Sequence, residues 1–342
     1  MPRWPWGGCR TSTITSVAAS TAINPALVER FKSALDRLNP DGGKIGLAVS
    51  GGPDSMAMLL LAHEAIPSGF EVGTVDHGLR PEAKDECALV VAACEERGVP
   101  CEVLTVTIAE GNVQAKAREA RYFALDLWAQ RRGLAVVATA HHADDQAETL
   151  LMRLNRGSGV SGLAGVREYV WPLGHELPVI RPLLRFRRAE LDGVIKTAGL
   201  TVAQDPSNHD DRFDRVRMRQ ALSEADWLDP LALSRSASHL AEADEALDSQ
   251  TNAAVRDHVT RYSDRVECSS PPNRAIALRV IDRIIGWLGG TARGSQVADL
   301  LDKLERCEGG NVGGVLVTVE GKWGQAQPPR WVFRPEPPRR TG

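Results

Sequence analysis

The segment Ser-Gly-Gly-Pro-Asp-Ser at positions 50–55 combines the residue types that bind a phosphate chain. Its two glycines permit a tight turn that brings backbone N–H groups against an anion, and a helix beginning here adds partial positive charge. The hydroxyls of Ser50 and Ser55 can donate hydrogen bonds, and Asp54 can hold a Mg²⁺ that neutralises a pyrophosphate. The segment lacks the lysine and the spacing of a Walker A motif, so it predicts a different kind of nucleotide site.

A second polar segment, Asp76-His77-Gly78-Leu79-Arg80, follows the next predicted strand. Asp76 would end that strand within range of a nucleotide or its metal, and Arg80 would contact a phosphate. A simple turn capped by Asp76 is the alternative interpretation. The predicted site for the phosphates of a nucleotide therefore comprises Ser50, Gly51, Gly52, Pro53, Asp54, Ser55, Asp76, His77 and Arg80, with Mg²⁺ held at Asp54.

Two further groups of charged residues have the spacing of a helix face. Arg118 and Arg121 are three residues apart, and so are Asp145 and Glu148, which places each pair on one side of its helix. Paired carboxylates in such a position can bind an ammonium group, hold a metal or act as a base. Solvent-exposed helix faces are the alternative interpretation for both pairs.

Two patterns near these carboxylates suggest cofactors that we do not expect. His141, His142 and Asp144 would suit zinc, but no third cluster of ligands with metal spacing follows. The residues over 157–162 spell Gly-x-Gly-x-x-Gly, a motif that must follow a strand and open a helix to bind a dinucleotide. Here it follows a predicted helix over 143–156, so we expect no nicotinamide, flavin or other organic prosthetic group.

Arginines concentrate in two short segments, although the net charge of the whole chain is only −3. Such local stripes bind nucleic-acid phosphates while a chain stays near neutral overall, and solvated helix faces are the alternative. The first segment contains Arg181, Arg185, Arg187 and Arg188, and the second contains Arg212, Arg215, Arg217 and Arg219.

The elements that position these residues follow from the apolar pattern between Lys44 and Arg156. Strands are expected at 45–50, 70–76, 101–108 and 135–140, and helices at 55–65, 82–97, 113–132 and 143–156. Four strand–helix units in series predict an α/β fold with a doubly wound, mainly parallel sheet. Ligands bind such sheets at the carboxyl ends of the strands. The polar segments that begin at Ser50, Asp76 and His141 all follow predicted strands, so we expect them at one edge of the sheet.

Outside this region the sequence changes character. Residues 25–218 are predicted to form the α/β domain, 219–307 a smaller, mostly helical domain, and 308–342 a small β hairpin with a disordered tail. Residues 1–24 are rich in Ser, Thr and Ala and contain no acidic residue. That composition indicates a disordered extension, a transit peptide or a misplaced start codon.

The overall composition is that of a globular protein. The chain has 342 residues, 43% of them hydrophobic and 25% charged, which is enough for two or three domains. No apolar run approaches the roughly 18 residues of a membrane span, so we expect no membrane partner. The six cysteines form no CxxC pair, and a chain of this size needs no disulfide framework, which makes the cytoplasm the expected compartment.

The loop over 50–55 resembles the SGGxDS loop of the N-type ATP pyrophosphatases, or PP-loop superfamily, which implies an adenine-nucleotide alpha-hydrolase-like fold. The segments SGGPDS, DHGLR, TAHHADDQAET, RGSGVSGLAG, RPLL and DPSN occur in the order seen in tRNA(Ile)-lysidine synthetases. Together with the stretch over 112–122 they cover about 44–219, and their combination is highly specific. The chain departs from this family at Val216, where an amide is usual, and its C-terminal part matches only loosely.

This resemblance implies a two-step, Mg²⁺- and ATP-dependent ligation. ATP adenylates the position-2 oxygen of the wobble cytidine of tRNA(Ile) with a CAU anticodon, and the ε-amine of free L-lysine then displaces AMP. The tRNA thereby changes from methionine to isoleucine specificity. The resemblance makes 25–218 the catalytic domain, whose nucleotide site would bind ATP and pyrophosphate, and 219–307 a domain that binds tRNA. Catalysis or lysine binding is expected of Asp145, Glu148, Arg118, Arg121 and His142, and tRNA binding of Arg181, Arg185, Arg187, Arg188, Arg215, Arg217 and Arg219.

Two other classes of function stay open at this point. Another PP-loop enzyme, such as a tRNA thiolase or a small-molecule amide synthetase, would use the same loop, although sulfur insertion commonly needs a CxxC pair that this sequence lacks. A non-catalytic nucleotide- or RNA-binding protein would keep the loop without needing the acidic residues. The sequence is also compatible with a homodimer.

Overall fold

The computed structural model describes residues 22–78, 82–106, 113–172, 174–203, 212, 214–269, 271, 273–321, 324 and 329–336. Four of the sequence predictions lie outside these residues. They are the role of Arg80, the DPSN motif over 205–208, nearly all of the expected extension over 1–24, and the disordered tail beyond residue 336.

The chain divides into two compact units. The first consists of Met1–Ser158 and Gly165–Ala237, and the second of Gly159–Ala164 and Ser238–Gly342. The division therefore lies beyond the predicted boundary between 218 and 219. The reason is that the helix over 214–224 is hydrogen-bonded to the first unit, where Arg215 and Arg219 donate to Glu148.

The first unit contains a six-stranded sheet. Its strands are β1 (Ile45–Ala48), β2 (Phe70–Asp76), β3 (Cys101–Thr105), β4 (Val136–Ala138), β5 (Tyr169–Val170) and β6 (Val179–Ile180). They are arranged in the order β3-β2-β1-β4-β6-β5, and every neighbouring pair is parallel except β5 with β6. The prediction of an α/β fold with a doubly wound, mainly parallel sheet is confirmed.

The helices follow in chain order. They are α1 (Pro25–Leu38), α2 (Pro53–Ala65), α3 (Glu82–Glu96), α4 (Val113–Arg132), α5 (Ala143–Asn155), α6 (Val160–Leu163), α7 (Arg188–Ala198), α8 (Asp214–Glu224), α9 (Pro230–His258), α10 (Arg274–Trp287) and α11 (Gly294–Glu305). Each described helix is too short or too polar to cross a membrane.

The centre of the sheet is buried on both faces, as a near-continuous apolar strand requires. All four residues of β1 are buried, and α2 covers one face with a run of buried side chains from Ser55 to Ala62. On the other face, Gly46 and Gly73 leave room for the indole of Trp128, since a Cβ on Gly46 would lie only 2.8 Å from that ring. Trp128 thereby fixes α4 against the sheet and determines where the arginines of α4 project.

The strand order places a ligand crevice beside β1. The chain leaves β1 towards β2 and β3 on one side, whereas β4 and β6 lie on the other. Such a reversal of strand order is where open α/β sheets bind their ligands. The loops that follow β1 and β4 both open at this point.

The second unit has its own core and an antiparallel sheet. Its strands are β7 (Val259–Arg261), β8 (Val266–Ser269), β9 (Gly310–Val312), β10 (Val315–Glu320) and β11 (Arg330–Pro335), in the order β7-β8-β11-β10-β9. The predicted hairpin corresponds to β10 and β11, with Val317 opposite Phe333. It is not a separate tail, because Trp331 and Phe333 are fully buried in one core with residues of α10 and α11. The additional strands escaped prediction because three or four residues show no readable alternation.

Candidate active site at the β1 and β4 loops

The loop over 50–55 joins β1 to α2 and is held in shape by its serines. The Oγ of Ser55 accepts a hydrogen bond from the Ser50 N–H at 3.1 Å and donates one to the Gly52 carbonyl oxygen at 3.0 Å. Gly51 has a φ of +82°, and a Cβ there would lie 3.0 Å from the carbonyl oxygen of Glu86. Glycine is therefore required at this position, and the loop keeps a fixed turn at the N-terminus of α2.

Asp54 lies in the first turn of α2 with one carboxylate oxygen available. Its Oδ1 is buried and has no hydrogen-bond partner among the described residues, whereas its Oδ2 lies 3.5 Å from His142 Nε2. Burial disfavours the charged form, but the hydrogen bond from His142 and the positive charges of His142, Arg188 and Arg219 hold the pKa of Asp54 below its usual value. An ionised carboxylate with a free buried oxygen fits a divalent cation.

That cation would need other ligands. Within the described part of the chain, no group of three His, Cys, Asp or Glu side chains is arranged to hold a metal ion. Phosphate oxygens would therefore complete the coordination, which is how Mg²⁺ is usually bound with nucleotides.

His142 connects Asp54 with the carboxylate pair of α5. The ring is only 1% exposed, and its Nε2 lies 3.5 Å from Asp54 Oδ2 and 3.4 Å from Asp145 Oδ2. The His142 N–H donates to Asp145 Oδ2 at 3.1 Å, and Nδ1 accepts from the Asp145 N–H at 3.4 Å, which forms the capping box that begins α5. Burial lowers the pKa of His142, but the hydrogen bond to Asp54 and the charges of Asp145, Asp54 and Asp144 outweigh it and raise the pKa.

Asp145 and Glu148 lie on one face of α5, as their spacing predicts, and two arginines of α8 bind them. Arg215 donates from Nη2 to Asp145 Oδ1 at 2.9 Å and from Nε to Glu148 Oε2 at 2.7 Å. Arg219 donates from Nε to Glu148 Oε1 at 2.8 Å. Glu148 is only 2% exposed, so its charge is compensated by these two guanidinium groups.

The arginines predicted to form exposed stripes do not share one environment. Arg181 is 5% exposed, and its Nη1 donates to the Arg167 carbonyl oxygen at 2.6 Å. Burial lowers the pKa of this guanidinium, and Tyr122 opposes the effect. Arg181 therefore does not belong to an exposed stripe, because the β6 strand end at which it lies is covered.

The remaining arginines separate into two groups. Arg187 lies 3.2 Å from Asp144, so that it faces inward like Arg215 and Arg219. Arg185 and Arg217 are exposed, beside Glu168 and Asp214 respectively. Arg212 and Arg215 are exposed as well, and a role in tRNA binding for any of these four arginines stays a prediction.

A cavity of about 400 Å³ opens between the loops that follow β1 and β4. Its lining includes Ser50, Asp54, His77, Arg118, Arg121, Tyr122, Thr139, His141, Asp145 and Arg215. A second cavity of about 350 Å³ shares Ser50, Gly52, Asp54, His77 and Arg121 and extends to Arg188 and Arg219. The structure thus brings together residues from each of the polar segments that the sequence placed at strand ends.

Arg121 faces both cavities without a counter-charge. Its guanidinium has no hydrogen bond or ion pair with any side chain that the structure describes, although its neighbour Arg118 lies 3.4 Å from the hydroxyl of Tyr122. Arg121 is half-buried, and burial lowers the pKa of its guanidinium. A half-buried cation directed into a cavity favours an anionic ligand there.

Some residues differ from their predicted positions, and others were missed. Asp76 accepts the Gly78 N–H at 2.8 Å and so closes a turn, which is the alternative that its sequence left open. Thr139, His141 and Tyr122 line the first cavity but were not among the predicted site residues. The sequence could have indicated them, since Thr139 and His141 belong to the motif TAHHADDQAET and Tyr122 to the stretch over 112–122. Val216, where the resembling family has an amide, is buried at 8% exposure in α8.

Comparison with known proteins agrees with this geometry. Residues 24–225 match the family model of the PP-loop domain. The chain is 45% identical over 318 residues to a tRNA(Ile)-lysidine synthase of Novosphingobium aromaticivorans, an alignment that covers 91% of this chain and 94% of the relative. It is 38% identical over 347 residues to a tRNA(Ile)-lysidine synthase of Methylobacterium nodulans, covering 94% and 99% of the two chains.

A solved structure shows the same fold at greater distance. The U34-tRNA thiolase of Methanococcus maripaludis superposes with a TM-score of 0.53 at 18% identity, over 64% of this chain and 80% of that one. At this level of identity the likeness concerns the fold alone.

Proposed function

The chain belongs to the tRNA(Ile)-lysidine synthase family of PP-loop proteins, and we propose that it uses ATP to ligate lysine to tRNA(Ile) in two steps. ATP adenylates O2 of the wobble cytidine of tRNA(Ile) with a CAU anticodon, and pyrophosphate leaves. The neutral ε-amine of free L-lysine then attacks C2, and AMP leaves. The cytosine carbonyl is a poor electrophile, so the AMP ester provides the leaving group that the second step needs.

The observation that carries this proposal is the position of His142 between two sites. Its Nε2 lies 3.5 Å from Asp54, beside the phosphate-binding loop, and 3.4 Å from Asp145, in the carboxylate pair. A nucleotide bound at the loop and an amine bound at the carboxylates would therefore meet in one cavity. A reaction that activates a base with ATP and then adds an amine requires this proximity.

The nucleotide site that we propose consists of backbone N–H groups and a guanidinium group that can bind an anion. The turn over 50–55 directs the N-terminus of α2 towards the cavity, and Arg121 supplies an uncompensated positive charge. Asp54 would hold Mg²⁺ through its free Oδ1. The cation would neutralise the charge that develops on the departing pyrophosphate.

The amine site consists of Asp145 and Glu148, and Arg215 currently occupies their oxygens. Lysine carries an ammonium group at neutral pH, with a pKa of about 10.4, so the protein must both attract that charge and remove one proton before attack. We assign the attraction of the ammonium group to both carboxylates. The carboxylate that Arg215 releases would then accept the proton from the ε-amine.

The experiment that tests the function is AMP release by purified protein with ATP and Mg²⁺. Reactions contain CAU-anticodon tRNA(Ile) and L-lysine together, or each is omitted in turn. We expect sustained AMP release only with both, and incorporation of labelled lysine into the tRNA. Sustained release with neither present would contradict the substrate assignment, and would redirect the search to a small-molecule acceptor.

A further inference from the structure

The loop between α8 and α9 exposes a tryptophan for which the steps above provide no role. Trp227 is 79% exposed, and Trp171, the next most exposed large hydrophobic side chain among the described residues, reaches 59%. The Nε1–H of Trp171 donates to the His175 carbonyl oxygen at 2.9 Å, whereas Trp227 has no hydrogen bond or ring contact within the described part of the chain. An uncovered indole leaves a large apolar face in water, which favours a partner that covers it.

The backbone around Trp227 is held by several interactions. The Leu228 N–H donates to the Ala225 carbonyl oxygen at 3.0 Å, and Asp229 Oδ1 accepts the Leu231 N–H at 2.9 Å where α9 begins. The guanidinium of Arg187 lies 3.7 Å from Asp229. The ring is therefore presented from an anchored loop, so that a partner would find its face in place and lose little free energy in ordering it.

The loop that carries Trp227 borders a third cavity, which has a volume of about 640 Å³, although the indole itself does not line it. Its neighbours on both sides in the chain, Asp226 and Leu228, line this cavity, which also reaches Glu148 and Arg219. The exposed indole therefore projects from a loop whose flanking residues line the same cavity as the carboxylate that we assign to lysine.

The chemistry of this surface favours a flat ring over a run of phosphates. The cavity lining carries three arginines and four carboxylates, and two of these arginines form ion pairs, Arg187 with Asp144 and Arg219 with Glu148. A surface of balanced charge does not select a polyanion, whereas an aromatic face binds any unstacked base.

An unstacked base is what the reaction would create. The cytidine that is adenylated must leave its stack to enter a cavity, and its departure uncovers the face of a neighbouring base in the anticodon loop. We propose that Trp227 stacks on an uncovered base of the anticodon loop while the wobble cytidine reacts. This inference rests on the proposed function.

The test measures binding of the CAU anticodon stem-loop RNA to the full chain. We expect Trp227→Ala to weaken binding about tenfold and Trp227→Phe to retain most of the affinity, since stacking contributes roughly 1–3 kcal/mol per base. Trp171→Ala, which removes the other highly exposed indole among the described residues, serves as the matched control and should bind as the parent does. Because stacking is not ionic, Trp227→Ala should leave the salt dependence of the dissociation constant unchanged.

Several outcomes would overturn the inference. Equal affinity of Trp227→Ala and the parent protein would show that no base stacks there. If Trp227→Ala converted an oligomer into a monomer without changing RNA affinity, a second copy of this chain would be the partner of the ring. The proposed function would fail separately, if the parent protein released AMP in a lysine-dependent reaction that needed no tRNA.

Discussion

Arg215 donates its Nε–H to Glu148 Oε2 at 2.7 Å, on a carboxylate that is almost completely buried. The same guanidinium reaches Asp145 at 2.9 Å, so one arginine occupies an oxygen of each member of the pair. An incoming ammonium group would need those acceptors. Lysine binding at this site therefore requires Arg215 to move or to share its partners.

Glu148→Gln should raise the lysine requirement far more than the ATP requirement. The substitution keeps the shape of the side chain but removes the charge that attracts an ammonium group, and hydrogen bonds to charged partners contribute about 1.5–3 kcal/mol. We therefore expect the KM for lysine to rise about tenfold or more, with little change in the KM for ATP. Steady-state AMP release at varied lysine and varied ATP measures both constants.

Glu168→Gln is the matched control for that substitution. Glu168 also accepts hydrogen bonds from two arginines, Arg37 and Arg185, but it does not line the cavity that Glu148 lines. It should leave both constants unchanged. If Glu148→Gln raised the two KM values equally, the assignment of this carboxylate to lysine would be wrong.

Asp54→Ala should abolish AMP formation while the protein stays folded. The free Oδ1 of Asp54 is the oxygen that we assign to Mg²⁺, and loss of a metal-binding carboxylate in phosphoryl transfer removes charge stabilisation worth several kcal/mol. We expect at least a hundredfold lower rate with an unchanged circular dichroism spectrum. Glu64→Gln, an exposed acidic position on the same helix, should retain full activity. A near-normal rate for Asp54→Ala would remove this residue from the metal site.

Arg121→Met should stabilise the free protein while it weakens ATP binding. The half-buried guanidinium lacks a counter-charge among the described residues, so replacing it with an apolar side chain of similar length should raise the free energy of unfolding by about 1 kcal/mol. The KM for ATP should rise at the same time, because the phosphates lose a partner. Thermal unfolding with and without ATP measures both effects.

Arg131→Met provides the control for Arg121→Met. Arg131 lies on the same helix, is 63% exposed and pairs with Glu102 on the surface, where an ion pair contributes little. It should change neither stability nor the KM for ATP. A destabilised Arg121→Met variant with an unchanged KM would show that Arg121 has a structural role.

The sequence predicted strands β1 to β4 and the helices that follow them, where the local residue pattern matches the element that forms in the fold. The bounds of β2 and α4 coincide with the predicted ones, because long apolar or helical runs are bounded by clear turns. The polar segments after β1 and β4 were found because parallel strands must end at a common edge.

What the sequence could not provide is the pairing of charges. Arg215 and Arg219 were interpreted as contacts for tRNA, since an arginine three or four residues from another forms a stripe on any helix. Only the packing of α8 against α5 shows that their partners are Asp145 and Glu148. Residues separated by some seventy positions share no local pattern, so such contacts require the fold.

His141 should make the protein less stable as the pH falls from neutral to about 4. Burial and the charge of Arg181 lower the pKa of His141 to about 4, against an ordinary value of 6.5. Because the folded-state pKa is depressed, the neutral ring contributes stability above pH 6.5, and that contribution is lost as the pH falls towards 4. The loss amounts to at most about 3 kcal/mol by linkage.

His141→Gln tests this assignment, since it removes the titrating group and keeps a polar side chain beside Thr139. As the pH falls from 7 to 4, the unfolding free energy of the parent should decrease more than that of this variant. His142 provides a contrast of opposite sign, because its raised pKa stabilises the folded state below pH 6.5 and ceases to do so as the pH rises through the folded-state pKa. A constant difference for His141→Gln across this range would mean that the ring is as well solvated in the folded chain as in the unfolded one, which its position in the cavity beside Arg181 argues against.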